Sequence, residues 1–430
     1  MANTPETRTT FTNLLKQVFA PAIMQATAEQ SFTLSHLEAV AGKVVDQGKN
    51  FYLPVLFNNN GSTGSRPEGG TMPTALPGSD TQSTIGIAYH YFTMSLSGPV
   101  MKTSDSSPEA WADAFSNALR VKSRAFRQQM NRQLLGDGLG ILCQCSTSAA
   151  STVVEVDNAY GLSGFNNSQV NGAKFLTSNM IVDFFTSDTI RDVANTATIE
   201  SIVPGSFPST EALVTFSAAG DVDEVVDGDY CYVGSNKSDS SVYEMEGFQS
   251  LIDDGTKNAS FQGIAVATYP EWKSQVKYGA TPGTAEALTT NRIQEVIDDI
   301  EVAGGNVDWI LTSNAVYLTY GEMARSENQI VTYDTIKGYL DTGWKAIMHN
   351  GIPIYKDPYC IDHMFFVDNR AIKLHESAPM GWLDYGDGIL HRDGNKDQWQ
   401  CEWAWYANAA VHNRAWLGKL QDITVTANKI

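Results

Sequence analysis

The stretch FNNNGSTGSRPEGGTMPTALPGSD, from Phe57 to Asp80, limits this chain more than any other segment. It is almost wholly Gly, Ser, Thr, Asn and Pro, so it cannot build a core of its own. Strand-like alternation flanks it on both sides. Phe51, Leu53, Val55 and Phe57 alternate before it, and Ile85, Ile87, Tyr89 and Tyr91 after it. The pattern then slips by one residue to Phe92, Met94 and Leu96, which predicts a β-bulge. Two strands around a connection of about 25 residues lie outside the usual hairpin range. The chain must therefore carry a long, uncommitted loop on a two-stranded stem.

A helix follows directly. Ser107 suits the N-cap and Pro108 the first helical position. Glu109 and Asp113 sit in the opening turns, whereas Arg120, Lys122, Arg124, Arg127 and Arg132 come later, an order that suits the helix macrodipole. Trp111, Phe115, Leu119, Phe126 and Leu134 give a partial apolar stripe, and Gly136 and Gly138 end it. A helix of about 28 residues is roughly 40 Å long, the length of a structural spine.

The rest of the chain divides by texture. Phe11 to Ile23 is amphipathic, as a helix on its own domain or an arm on a neighbour would be. From about 151 to 279, short strand-like runs alternate with turn clusters, which predicts an inserted small β-barrel or sandwich. TTNRIQEVIDDIEVAGG places Ile293, Val296, Ile297 and Ile300 on one helical face, with Thr290 as cap and Gly304 as stop. VDWILTS then reads as a buried strand and AVYLTYGEMARS as a second helix, an α+β unit. The end is rich in strands. After a turn at DGNKD, Trp399, Cys401, Trp403 and Trp405 alternate with Gln400, Glu402 and Ala404.

Composition removes several function classes. The formal net charge is −19 over 430 residues, which repels phosphate backbones and argues against sequence-specific nucleic-acid binding. Five sparse cysteines, an odd number, suit a reducing compartment rather than a disulfide framework. No stretch reads as a signal peptide or a membrane span, so the expectation is a protein made and used in a cytoplasm, with no membrane partner. No GxSxG, HExxH or P-loop is present. GDGLG (136–140) follows a helix, so it reads as a helix stop and not a dinucleotide turn. DVDEVVDGD (221–229) lacks calcium-loop spacing, because Val225 stands at a ligand position. Cys143 and Cys145 have no second pair for zinc. His349, His363 and His375 could meet in space, but nothing in their spacing requires it. Asp253–Asp254 and Asp298–Asp299 read as a turn and a solvated helix face rather than a glycosidase pair. The expectation is therefore no enzyme, no cofactor and no metal.

The order of these parts resembles the major capsid protein of tailed bacteriophages, the Hong Kong 97-type fold. FYLPVLF and STIGIAYHYFTMSL resemble the extended loop, and SPEAWADAFSNALRVKSRAFRQQMNRQLLGDG the spine helix of the peripheral domain. LTTNRIQEVIDDIEVAGGNVDWILTSNAVYLTY resembles the axial domain, and GIPIYKDPYCIDHMFFVDNRAIKLHE with WAWYANAAVHNRAWLGKL the closing strands. The expected architecture is α+β: an N-terminal arm at 1–49, the extended loop at 50–103 and the peripheral domain with its spine helix at 104–150. A β-rich insertion at 151–279, the axial domain at 280–355 and the return strands at 356–430 complete it.

The resemblance implies a shell protein without chemistry, forming hexamers and pentamers of an icosahedral head around double-stranded DNA. It implies a portal protein and a decoration protein as further partners, assembly in a bacterial cytoplasm and a final place in the virion. Some relatives fuse a scaffolding segment ahead of the arm; here the stem begins near Asn50, so a separate scaffolding protein is expected. An encapsulin-like compartment shell is the nearest alternative. A carbohydrate-binding or carbohydrate-acting protein is another, through Trp399, Trp403 and Trp405. Arg66 and Glu68 are the only charges between Lys49 and Asp80 and are expected, with Arg120, Arg124 and Arg127, to contact a neighbouring subunit.

Some relatives cross-link a loop lysine to an asparagine, yet no lysine lies between Lys49 and Lys102. Mature particles should therefore run as a single monomer band on a denaturing gel, and covalent ladders would refute this.

Overall fold

The computed structural model describes residues 32–37, 39–41, 50–57, 63–74, 79–97, 108–147, 152–162, 171–186, 189–190, 197–205, 211–217, 222–238, 241–326, 333–335, 345–384, 389, 391–392 and 397–425. The amphipathic segment 11–23, the Ser107 cap and most of the DGNKD turn lie outside these.

The stem forms as its alternation predicts. After a short strand β1 (Ala39–Ala41), β2 (Asn50–Phe57) pairs antiparallel with β3 (Ser79–Gly86), in unbroken register from Asn50 opposite Gly86 to Phe57 opposite Ser79. The next strand, β4 (Ala88–Ser97), leaves the stem and pairs with the long strand Gln398–Val411. This corrects the position of the expected slip. The break falls at Ile87, not after Tyr91, because there the chain passes from one sheet to another. Ala88, His90 and Met94 consequently face inward, while Tyr89 and Tyr91 are exposed.

The long helix runs from Pro108 to Leu135, 28 residues as the sequence predicts. Gly138 ends the segment with φ +77°, in the left-handed region glycine tolerates best. Leu119, Phe126, Met130 and Leu134 bury its inner face. They meet the sheet formed by β4, Gln398–Val411 and Ile372–Trp382. Trp403 and Trp405 lie on the inner face of that sheet, 0% and 2% exposed. Phe92 bridges the layers, stacked on Trp403 at 6.0 Å and tilted against Phe126 at 5.4 Å. This burial removes the sugar-stacking platform: two of its three rings are core, where a ligand cannot reach them.

After the helix, β5 (Ile141–Cys145), β6 (Val153–Asp157), β7 (Ile181–Thr186), β8 (Thr189–Ile190), β9 (Ala197–Pro204), β10 (Ala212–Phe216) and β11 (Tyr230–Val233) form one antiparallel sheet. Its order is β11-β5-β6-β10-β9-β7, and β11 also pairs with β7, so the sheet closes into a small barrel. Closure removes the exposed edges that short strands would otherwise leave. Inward residues alternate along the staves, as in Val154 and Val156 or Ala212, Val214 and Phe216. The closed sheet begins at Ile141. Met245, Phe248, Leu251 and Trp272, further on, pack instead into the core of the long helix.

The third unit is a mixed sheet around Trp309–Thr312, with the helices Thr290–Val302 and Asn314–Ser326. Ile293, Val296, Ile297 and Ile300 are all buried, as their spacing requires. The cap is Thr289 rather than Thr290. Thr289 has extended backbone, its hydroxyl accepts from Arg292 N at 3.3 Å, and Thr290 is already helical.

Trp403 fills the layer between helix and sheet. Trp403→Ala should cost about 3–5 kcal/mol of unfolding free energy. Urea denaturation of the unassembled chain checks this, and a loss under about 1 kcal/mol would mean that the layer repacks.

Candidate assembly surface

The stem is seated on the body along its length. Phe57 stacks on Tyr269 at 4.6 Å and meets the edge of Trp272 at 6.0 Å. Thr84 N donates to Gln262 O at 2.8 Å and Ser83 Oγ to Gln262 Oε1 at 3.1 Å. At the root, Asn408 Nδ2 donates to Gly86 O at 2.8 Å. Beyond Phe57 the described tip, residues 63–74, is exposed except for half-buried Pro73. Its shape is local. Gly70 N donates to Pro67 O at 2.9 Å, a tight turn. Arg66 Nε and Nη1 donate to the carbonyls of Thr71 and Ser65 at 3.1 and 3.3 Å. Arg66 and Glu68 are both exposed, and Leu56 and Met72 present apolar side chains that are 82% exposed. The described tip thus offers charge and apolar surface, with none of residues 63–74 buried.

The basic run of the long helix splits into exposed and buried members. Arg120, Lys122 and Arg124 are exposed. Arg127 is buried at 4% and its Nε donates to Ser123 O at 3.2 Å. Arg132 is buried too, paired with Glu244. Helical position alone does not separate these residues: Arg127 lies three positions from exposed Arg124 on the same side of the helix, and from Asn131 to Asp137 every side is covered.

Between the helix side that carries Lys122, Ala125 and Gln129, strand β4 and the residues around Asn236 and Tyr243 lies a groove of about 940 Å³. Tyr89 and Tyr91 line it and pack on Tyr406, with ring centroids 5.1 and 5.8 Å apart. The exposed ring of Tyr243 and the Lys122 side chain add a wall and a charge. In the sequence Tyr89 and Tyr91 continue the alternation of Ile85 and Ile87, which conceals this surface.

No chemical constellation assembles among the described residues. The three histidines stay apart: His349 bonds Tyr320 Oη at 3.0 Å, His363 bonds Gln249 Nε2 at 3.1 Å, and His375 contacts His412 at 3.0 Å. Asp253 Oδ2 accepts from the backbone of Gly255, Lys257 and Asn258, which makes it a loop organiser. Asp229 closes the DVDEVVDGD turn by accepting from Val226 N at 2.9 Å. Asp299 pairs with Lys277 at 2.7 Å on a partly exposed face. No group of three or more His, Cys, Asp or Glu side chains among the described residues could hold a metal ion. No described helix is long and apolar enough to cross a membrane.

No protein-family model and no curated protein matches the sequence. The fold does match solved structures. A subunit of the cyanophage A-1(L) capsid asymmetric unit superposes with a TM-score of 0.54 at 13% identity, over 92% of this chain and 93% of that one. The chain has the Hong Kong 97-type capsid fold. Weaker matches are the SrpI encapsulin of Synechococcus elongatus PCC 7942 (TM-score 0.47, 9% identity, 94% and 91% of the two chains) and the native GTA particle capsid (0.42, 10%, 93% and 91%).

His90 lies under this surface, buried, with its ring 5.7 Å from Trp405. Burial lowers its pKa to about 4. The unfolded chain, with an ordinary histidine near pH 6.5, therefore binds a proton that the folded chain rejects. The contribution of this residue is full above pH 6.5 and is lost as pH falls toward 4, by up to roughly 3 kcal/mol. His90→Gln should flatten the fall over that window in urea titrations at stepped pH. An unchanged slope would show that His90 does not carry it.

Proposed function

We propose that this chain is a major capsid protein, a structural subunit that self-assembles into hexamers and pentamers of an icosahedral head enclosing double-stranded DNA. The supporting observation is the capsid fold over nine-tenths of the chain, crowned by an exposed loop tip on a seated stem. A tip with no core of its own gains its ordering energy from a neighbour. Symmetric tiling needs no catalytic constellation, so the reading is of a non-enzymatic protein. Net negative charge suits a wall that must not adhere to packed DNA, so the DNA is enclosed without sequence-specific binding.

In this reading the chain assembles in the bacterial cytoplasm with a separate scaffolding protein, a portal protein at one vertex and a decoration protein on the outside. Subunit contacts run through Arg66 and Glu68 at the loop tip and through Arg120 and Arg124 on the exposed helix face. Arg127 serves its own helix, since its side chain is already buried within the subunit. The division into arm, extended loop, peripheral domain, β insertion, axial domain and return strands follows the same reading, with the insertion centred on the closed barrel. An encapsulin-like shell shares the fold and differs in cargo.

Negative-stain electron microscopy of the purified chain, alone and with its genomic neighbours, tests this. Closed shells, tubes or six-membered rings are expected, and a uniform monomer in every condition would overturn the reading. DNA in the particles favours a phage head, and enclosed protein favours the compartment. Arg66→Glu and Arg124→Glu should each reduce particle yield at least several-fold while leaving the monomer folded; full yield would remove those residues from the contact.

A further inference from the structure

The barrel closes through β11, which pairs with β5 on one side and β7 on the other. Across the β5–β11 seam the register sets Cys143 directly opposite Cys231. Two residues on, Cys145 N donates to Asp229 O at 2.7 Å and Cys145 O accepts from Gly228 N at 2.9 Å, a bulge that ends the ladder and leaves 143/231 in the hydrogen-bonded phase of the seam. Such pairs hold their Cα atoms about 5.5 Å apart, within the span that a disulfide bridges. The adjacent Cys231 thiol, together with burial, raises the pKa of the Cys143 thiol. Both residues are 1% exposed or less and belong to the barrel core.

We propose that Cys143 and Cys231 form an oxidation-dependent disulfide that covalently closes the barrel seam. The other cysteines are worse placed. Cys145 faces Asp229 across the seam, and its Cα lies roughly 6.6 Å from that of Cys143 along the strand, near the upper limit for a bridge. Cys360 and Cys401 belong to other cores.

The chemistry is thiol–disulfide exchange with a low-molecular-weight disulfide such as oxidised glutathione. One cysteine, as thiolate, attacks the glutathione disulfide, forms a mixed disulfide and releases one glutathione thiolate. The second cysteine then attacks the protein sulfur of that mixed disulfide and releases the other. The protein thiols lose two protons and two electrons, and the oxidant gains them as two molecules of reduced glutathione. The neighbouring Cys231 thiol and burial hold the Cys143 thiol protonated in the closed barrel. Exchange therefore waits on opening of the seam, and mild denaturant should accelerate it. A reducing cell keeps the pair as thiols, and an oxidising medium closes it. The bridge needs no neighbouring copy, so it stands or falls independently of assembly.

The test uses the full chain incubated with oxidised glutathione, quenched with N-ethylmaleimide and mapped by non-reducing peptide mass spectrometry. The expected product links the Cys143 and Cys231 peptides while Cys360 and Cys401 stay alkylated. Cys145→Ser should retain the link and Cys231→Ser should lose it. Oxidised protein should melt higher than reduced protein by about 5 °C, as expected when a long loop is closed. Free Cys143 and Cys231 after prolonged oxidation in mild urea would overturn the proposal, as would a dominant Cys143–Cys145 link. The wild-type peptide map decides even if Cys231→Ser fails to fold.

Discussion

Everything in this structure leans on the contact between one long helix and one aromatic strand. The helix Pro108–Leu135 has an inner face it must bury, and Gln398–Val411 supplies Trp403 and Trp405 to cover it. These segments lie far apart in sequence, so closing the contact carries a loop-closure cost that local pairing avoids. Large aromatic area compensates. Once the layer forms, β4 takes its place on the same strand, and the chain entering and leaving the stem is held within it.

A second, polar knot reinforces the helix. Asp357 is buried and accepts from both Asn131 on the helix and Thr33 on the short segment Phe32–His36. A buried carboxylate is costly unless its acceptors are filled, and here Tyr359 N adds a further donor at 2.9 Å. Burial still pushes its pKa up, with the bonds to Asn131, Tyr359 and Thr33 acting against it. The knot ties the incoming chain to the helix. The stem is thus anchored to the body, whereas the described tip bonds within itself: Phe57 belongs to the core, and Arg66 donates to Thr71 and Ser65 of its own loop.

Much of the fold was legible because its elements obey simple periods. The 28-residue helix, the buried faces of Thr290–Val302 and the stem each show one clear repeat. The failures are instructive. Tyr89 and Tyr91 continued the alternation of Ile85, yet β4 belongs to another sheet and turns them outward. A period cannot announce that a strand has changed partners. The basic run of the helix looked like one surface, but Arg127 and Arg132 turn inward, and Arg132 meets Glu244 from far along the chain. The groove escaped notice for the same reason, since its walls come from three distant segments.

Residue order alone determined the neutral loop, the missing loop lysine, the spine helix, the acidic balance and the absence of familiar catalytic motifs. These depend on composition and on neighbours within a few positions. Tertiary structure decided the rest: the closure of the barrel through β11, the pairing of Cys143 with Cys231, the burial of the tryptophans and the division of the arginines between core and surface. Each is a partnership between segments remote in sequence. Local propensity sets which elements form, but which faces meet is settled only when all of them compete for the same buried area.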